Sequence, residues 1–270
     1  MKEEGLRVVV TGKGGVGKTT IAAMLSHLIS LNGYNVLAVD EDPQVNLPYA
    51  LGISPKSADM ITPLSKNLDY IEEKTGARPG EEWGLYLKLN PRVNDVVKRF
   101  GIIGPNDIKI LVMGTVVQAA AGCLCPENVL LNAVMKHLIL RKKEVIIMDT
   151  QAGMEHFGRA VAEGFSHAII VVTPSFNSVK VGTHLINLAK ELDIPHILLL
   201  INKVRSSKDL KKVNVLLEDN SEFFDSYFVV PYDSKLLDIE PNISPLIEGK
   251  VPSKVPDKIV ELSNVIIDQV

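Results

Sequence analysis

The chain has few cysteines, no long apolar run and no large excess of charge of either sign. Two cysteines among 270 residues cannot form the dense disulfide framework of a small secreted domain. The apolar runs at 167–174 and 196–203 are far shorter than the ~20 residues that a helix needs to span a bilayer. A net charge of −3 creates no general attraction for nucleic acid or for an anionic membrane.

The sequence also begins without the pattern of a secretory signal. Its first residues, "MKEEGLRVVV", place two acids before the first apolar run and have no signal-like apolar core. We therefore expect a cytoplasmic protein in which thiols stay reduced. Its expected partners are proteins and small molecules, with no nucleic acid and no membrane among them.

Short β-rich apolar runs alternate with helical patterns along the chain. The runs are almost entirely apolar, as expected for strands covered on both faces, at 6–11, 35–40, 109–114, 144–149, 168–173, 196–201 and 227–230. Helical segments between them include 18–33 and 127–142. This alternation predicts an α/β fold, a doubly wound, mostly parallel sheet with helices on both faces. We expect a single domain, 1–270, with a polar excursion over 54–106.

The loop after the first predicted strand carries the most specific motif. The segment "TGKGGVGKTT" (11–20) matches G-x-x-x-x-G-K-[ST], the phosphate-binding loop of P-loop NTPases. Glycines let backbone N–H groups converge on phosphate oxygens, Lys18 supplies positive charge, and the Thr19 hydroxyl can ligate Mg²⁺. The predicted nucleotide-binding residues are Gly12, Lys13, Gly14, Gly15, Val16, Gly17, Lys18, Thr19 and Thr20.

The same loop admits a second interpretation. Gly12, Gly14 and Gly17 also form a G-x-G-x-x-G, and Asp40 ends the next strand, where a dinucleotide fold places a ribose-binding acid. Taken alone, this pattern would indicate NAD. The phosphate-loop pattern is the more specific of the two, and we prefer it.

The early lysine of this loop resembles a particular group of ATPases. The form "KGGVGKTT" is similar to the deviant Walker A loop of the dimeric ATPases that include MinD, ParA and the nitrogenase iron protein. The resemblance implies ATP and Mg²⁺ as ligands, and a catalytic Lys13 that reaches the phosphates of the partner subunit.

The same resemblance assigns roles to several strand-end residues. It implies that Asp42 orients the attacking water, that Asp149 holds the Mg²⁺ shell with Thr19, and that Gly153 senses the γ-phosphate. The segment "INKV" (201–204) resembles the base-recognition segment of these proteins. Its Asn202 would face the purine, with Lys203 beside it.

Both cysteines lie in one C-x-C, "AGCLCPEN" (121–128). A disulfide between Cys123 and Cys125 would close a strained small ring. One C-x-C offers only two thiolates, whereas a closed thiolate site usually needs four ligands. A second copy of the chain could supply the other pair, and four thiolates suit either zinc or nickel.

Four segments carry a closer resemblance, which extends over essentially the whole chain. They are similar to the CooC family, the nickel-insertion ATPases that mature carbon monoxide dehydrogenase. The segments are 60–80, 88–96, 113–131 and 148–159. The resemblance implies an ATP-dependent homodimer that holds Ni²⁺ or Zn²⁺ between paired Cys123 and Cys125. It also implies nickel delivery to carbon monoxide dehydrogenase or the related acetyl-CoA synthase.

Three nearby residues and three other functions remain open at this point. Gln151 stands where an acid is expected, and Glu155 and His156 match the family without being assigned as ligands. A MinD-like membrane-positioning ATPase would need a basic amphipathic tail, which 254–270 does not provide. A ParA-like ATPase would need a basic surface, for which 202–212 is the candidate. An iron–sulfur carrier or reductase is the nearest chemical alternative.

Overall fold

A computed structural model describes residues 5–80, 87–114, 125–138, 141–152, 164–217 and 224–268 of the chain. Within these residues, eight strands form one sheet with the order β3-β4-β2-β5-β1-β6-β7-β8. The strands are β1 (Leu6–Gly12), β2 (Asn35–Asp40), β3 (Ile102–Ile103), β4 (Lys109–Val112), β5 (Glu144–Asp149), β6 (His167–Val172), β7 (His196–Val204) and β8 (Ser226–Pro231). All neighbours are parallel except β3 and β4.

Helices connect these strands and cover both faces of the sheet. They are α1 (Lys18–Leu31), α2 (Leu47–Ala50), α3 (Pro55–Ala58), α4 (Leu68–Thr75), α5 (Val96–Phe100), α6 (Pro126–His137), α7 (Phe176–Glu191), α8 (Ser207–Leu217), α9 (Lys235–Ile239), α10 (Ser244–Ile247) and α11 (Val255–Ile267). This is the predicted α/β architecture.

Two apolar layers sandwich the sheet, because alternate strand residues point to opposite faces. Val8 and Val10 of β1 pack in the layer that contains α1 and α11. Val9 packs in the layer that contains α4, α6 and α7. Strands buried on both faces need apolar side chains at every position, which explains their uninterrupted apolar runs.

The predicted elements differ from the observed ones in several places, including β3, the end of α6 and the segment 54–106. The sequence did not indicate β3, a two-residue antiparallel strand whose Ile103 is exposed. The predicted helix 127–142 ends at His137, because Leu138 already has an extended backbone. The predicted excursion 54–106 contributes to the core, since Tyr70 and Val96 are buried in the same apolar layer as α6.

The carboxyl ends of the central strands define where a ligand can approach. In parallel sheets of this kind, ligands bind beyond these ends, at the point where the chain switches direction across the sheet. Here β1 continues to β2 on one side, while β6 lies on its other side. The predicted phosphate loop follows β1 directly. Among the described residues, no helical segment combines the length and the apolar character that a membrane span requires.

Candidate functional site

The predicted phosphate loop connects the end of β1, Gly12, to the start of α1, Lys18. Two of its glycines occupy positions where any side chain would be strained. Gly12 has φ 152°, and a Cβ there would lie 2.3 Å from the Val171 carbonyl oxygen. Gly17 has φ 99°, and a Cβ there would lie 2.6 Å from the Asn202 amide nitrogen. The glycines therefore set both the backbone path and the close packing of the loop.

Lys18 places a buried positive charge beneath this loop. Its side chain is 7% exposed, and its Nζ lies 3.4 Å from the Lys13 carbonyl oxygen. Burial lowers the pKa of Lys18, while the charges of Asp149 and Asp42 oppose that shift. The ammonium is thus held near acids and close to the loop, where a phosphate would satisfy it.

Asp149 ends β5 with a fully buried carboxylate. Burial raises its pKa to about 7, although a hydrogen bond from Thr19 and the charge of Lys18 work in the opposite direction. Within the described residues, neither oxygen of Asp149 has a well-formed hydrogen bond. A buried carboxylate with unsatisfied oxygens beside a hydroxyl is a donor set that suits Mg²⁺. Thr19 and Asp149, the predicted magnesium ligands, are therefore brought together.

Asp40 shapes the loop that carries the predicted catalytic acid. It is the register partner of Asp149 across β2 and β5, and it is completely buried. One oxygen accepts the Asp42 N–H at 2.9 Å, and the other accepts the Leu47 N–H at 3.0 Å. Burial, with the charge of Asp149, raises the pKa of Asp40 to about 8. This structural role argues against the NAD interpretation. Asp40 is fully buried and both of its oxygens already accept backbone hydrogen bonds, so it cannot hold a ribose.

Asp42 itself lies at the edge of the site, where it is partly exposed. Its carboxylate accepts the Gln44 N–H at 2.8 Å, and its carbonyl accepts the Val45 N–H at 3.1 Å. Asp42 and Gln44 both line the cleft described below. A partly hydrated carboxylate held in this way is placed to orient a water molecule.

Glu41 is a buried acid that the sequence did not single out. It is 5% exposed, and its N–H donates to the Asp149 carbonyl at 3.0 Å. Burial, together with the charges of Asp149, Asp40 and Asp42, raises its pKa to about 8. The carboxyl ends of β2 and β5 therefore gather several acids next to Lys18. Their repulsion would be relieved by a bound cation.

Asn202 and Lys203 contact the phosphate loop from the end of β7. The Asn202 amide donates to the Val16 carbonyl at 2.8 Å, and its oxygen accepts the Lys203 N–H at 2.8 Å. The Lys203 ammonium donates to the Gly15 carbonyl at 2.8 Å. Both side chains also line the cleft. The structure thus places these two residues at the site, with their polar groups directed at the loop.

A cleft of about 680 Å³ opens above the phosphate loop. One end is lined by the loop and by Asp42. The rest of its wall is formed by the last residue of β8 and by residues that follow it, which the sequence did not indicate: Pro231, Tyr232, Asp233, Leu236, Leu237, Glu240 and Pro241. The Arg205 guanidinium lies 4.5 Å from the centre of the Tyr232 ring and supports that wall. The cleft therefore joins the phosphate loop to a wall of mostly apolar residues.

The remaining predicted residues are only partly covered by the structure. Lys13 is exposed on the loop. Gln151 is partly buried beside the loop, and within the described residues its side-chain oxygen lacks a hydrogen bond. Cys125 is 8% exposed at the start of α6. Four further residues lie outside the described part of the chain: Cys123, Gly153, Glu155 and His156. The described residues hold no group of three or more potential metal ligands of the His, Cys, Asp and Glu types.

The loop, the buried lysine, the magnesium donors and the cleft together define a P-loop ATPase site. Comparison with known proteins agrees with this assignment. Residues 7–246 match the CobQ/CobB/MinD/ParA nucleotide binding domain. The chain belongs to this family and, within it, to the CooC type of ATPase.

Two relatives carry the sequence comparison. The chain is 38% identical over 231 residues to the carbon monoxide dehydrogenase accessory protein CooC of Rhodospirillum rubrum. The matched residues cover 86% of this chain and 85% of that protein. It is 39% identical over 264 residues to an uncharacterized ATP-binding protein of Methanocaldococcus jannaschii, with coverage of 97% and 98%.

Solved structures show the same fold at lower identity. The cell division ATPase MinD of Pyrococcus furiosus superposes with a TM-score of 0.65 at 23% identity, covering 98% of this chain and all of that chain. MinD of Pyrococcus horikoshii, in complex with Mg-ADP, superposes with a TM-score of 0.64 at 20% identity, covering 97% and 95%. At this identity, the likeness concerns the fold.

Proposed function

We propose that this ATPase is a cytoplasmic metallochaperone that inserts nickel into carbon monoxide dehydrogenase or the related acetyl-CoA synthase. The observation that carries the proposal is the 38% identity, over most of both chains, to a carbon monoxide dehydrogenase accessory protein. The C-x-C at Cys123 and Cys125 supplies the thiolates that such a function needs.

The nucleotide half of the mechanism uses the residues of the cleft. Lys18 and the loop N–H groups bind the phosphates, and Thr19 with Asp149 would hold Mg²⁺, which neutralises charge on the phosphates when bound. Asp42 orients the attacking water. Lys13, exposed on the loop, reaches the phosphates of a second subunit, so that ATP draws two subunits together.

The metal half of the mechanism needs that second subunit. Cys123 and Cys125 supply two thiolates from each chain, and the four thiolates of a dimer complete a site for Ni²⁺ or Zn²⁺. Cys125 immediately precedes α6, and that helix packs against α4 in the interior. Dimer closure on ATP would therefore shift the thiolates together with a well-packed helix.

Two consequences follow if the nucleotide site and the metal site are coupled through one dimer interface. ATP and the metal must change each other's affinity by the same factor, as thermodynamic linkage requires. Thiolate ligation must also release protons, so metal uptake weakens as the pH falls.

The direct experiment is metal analysis of anaerobic protein, with and without ATP, for the natural chain and for Cys123→Ser. We expect one bound ion per two natural chains and none in the variant, because a pair of thiolates is lost from a four-ligand site. Retained ATP binding by Cys123→Ser shows that the variant is folded. If this folded variant binds as much metal per chain as the natural chain does, the proposal is contradicted.

The same sample separates the alternatives. A bound iron–sulfur cluster would add iron and acid-labile sulfide to the natural protein, whereas a protein loaded with nickel or zinc contains neither. A MinD-like membrane role is not favoured by the fold, because the apolar face of α11, including Ile259 and Leu262, is buried in the layer that contains α1. Strong, salt-sensitive DNA binding would instead support a ParA-like function.

A further inference from the structure

The end of β7 is bent so that two consecutive side chains face the phosphate loop. In a regular strand, neighbouring side chains point to opposite faces. Here the register between β7 and β8 shifts between Ile201 and Val204, and Lys203 has a left-handed backbone with φ 61°. This irregularity allows Asn202 and Lys203 to contact the same loop.

The two side chains hold two adjacent carbonyl groups of that loop. The Lys203 ammonium binds the Gly15 carbonyl, and the Asn202 amide binds the Val16 carbonyl, each at 2.8 Å. The Lys203 N–H in turn fixes the Asn202 oxygen at 2.8 Å. Asn202 is 8% exposed, and its amide nitrogen lies against Gly17. The loop is therefore attached to β7 at two consecutive peptide groups.

These contacts set the direction of the neighbouring N–H groups. In a trans peptide, the carbonyl and the following N–H point in opposite directions. A Gly15 carbonyl turned toward Lys203 directs the Val16 N–H away from β7, and a Val16 carbonyl turned toward Asn202 does the same for the Gly17 N–H. Within the described residues, neither N–H donates a backbone hydrogen bond. Successive N–H groups that are unpaired and point the same way form an anion-binding nest.

We propose that Asn202 and Lys203 are positioning residues for the phosphate loop, which orient its N–H groups toward the triphosphate. The proposal concerns ATP binding and is independent of nickel delivery. Glycine would adopt the φ of Lys203 without strain but would lack the ammonium that holds Gly15. This difference allows the contact to be removed without straining the fold.

The experiment compares two ligands, ATP and inorganic tripolyphosphate, the second of which has phosphates but no base. Isothermal titration calorimetry gives their affinities for the natural chain, Lys203→Gly, Lys203→Met and Asn202→Asp. We expect each variant to lose about tenfold in affinity, by the same factor for both ligands. Lys203→Gly should unfold at a temperature no lower than that of Lys203→Met, because its backbone is relaxed.

Two further variants test whether the loss is specific. Lys203→Arg keeps a charged donor and should recover part of the affinity. Lys235→Met is the matched control, because Lys235 is an exposed lysine whose ammonium also binds a main-chain carbonyl, that of Pro252, away from the loop. It should bind both ligands as the natural chain does.

Either of two results would overturn the proposal. If the variants bind ATP more weakly but bind tripolyphosphate normally, Asn202 and Lys203 contact the base. If both ligands bind every folded variant normally, the contacts with Gly15 and Val16 do not organise the loop.

Discussion

The Arg7 guanidinium donates a hydrogen bond to the Leu138 carbonyl at 2.6 Å. A second bond from the same group reaches the Met135 carbonyl at 2.7 Å. Arg7 lies near the start of β1, and the two carbonyls belong to the last turn of α6 and the residue after it. One side chain therefore joins the strand that leads into the phosphate loop to the helix that follows Cys125.

Replacing this arginine should destabilise the fold. Arg7→Met keeps much of the apolar stem but removes two charge-assisted bonds to carbonyls at a helix C-terminus, where positive charge is favourable. We expect a loss of about 2 kcal/mol in the free energy of unfolding, measured by urea denaturation. Lys208→Met, at an exposed position of α8, is the control and should change it by less than about 0.5 kcal/mol. Equal denaturation midpoints for the two variants would contradict the prediction.

The buried acids at the site should make the ligand-free fold sensitive to pH. Burial raises the pKa of Asp40 and Glu41 to about 8 and that of Asp149 to about 7. Such groups hold a proton more tightly in the folded chain than in the unfolded chain, where carboxyl pKa values are about 4. The folded state is therefore favoured least when all are ionised. Its stability should fall as the pH rises from about 4 to about 8.

An uncharged replacement of Glu41 tests this directly. Glu41→Gln preserves the shape of the side chain but removes one titrating group, so the fall in stability between pH 4 and 8 should become shallower. Urea denaturation at a series of pH values measures the slope. Glu191→Gln, at an exposed position of α7, should leave the slope unchanged. A Glu41→Gln slope equal to that of the natural chain would show that Glu41 does not contribute.

Lys13 should be needed for association rather than for binding ATP within one subunit. The side chain is exposed on the loop. Lys13→Ala should therefore still bind ATP but should no longer form an ATP-dependent dimer, because the contact with the partner's phosphates is lost. Size-exclusion chromatography with light scattering, with and without ATP, measures this.

Lys18→Ala provides the comparison for that experiment. Lys18 lies beneath the phosphate loop, and its removal should weaken ATP binding itself. Calorimetry therefore distinguishes the two lysines before association is measured. If Lys13→Ala still forms the ATP-dependent dimer of the natural chain, the lysine does not act across the interface.

The sequence predicts the sheet well because the signals are local. Each long strand is an apolar run whose burial on both faces requires no other information. The end of α6 could not be predicted in the same way, because the Arg7 contacts that close it come from more than a hundred residues earlier in the chain. Two-residue β3 depends entirely on pairing with β4.

The phosphate loop was predictable for a similar reason. Its glycines, Lys18 and Thr19 are contiguous, and their spacing alone specifies the chemistry. The apolar wall around Tyr232 and the burial of Glu41 depend on residues brought together by folding. The contacts of Asn202 also depend on the bend in β7, which no local pattern marks.

The order of the strands also determines which parts of the molecule a client could cover. Cys125 lies between β4 and α6 in the chain, whereas the apolar end of the cleft follows β8. Six strand spacings separate β4 from β8, a distance of roughly 29 Å across the sheet. If the proposed client docks at Cys125, we expect it to leave the apolar end of the cleft uncovered, so that ADP could be exchanged for ATP while the client stays bound.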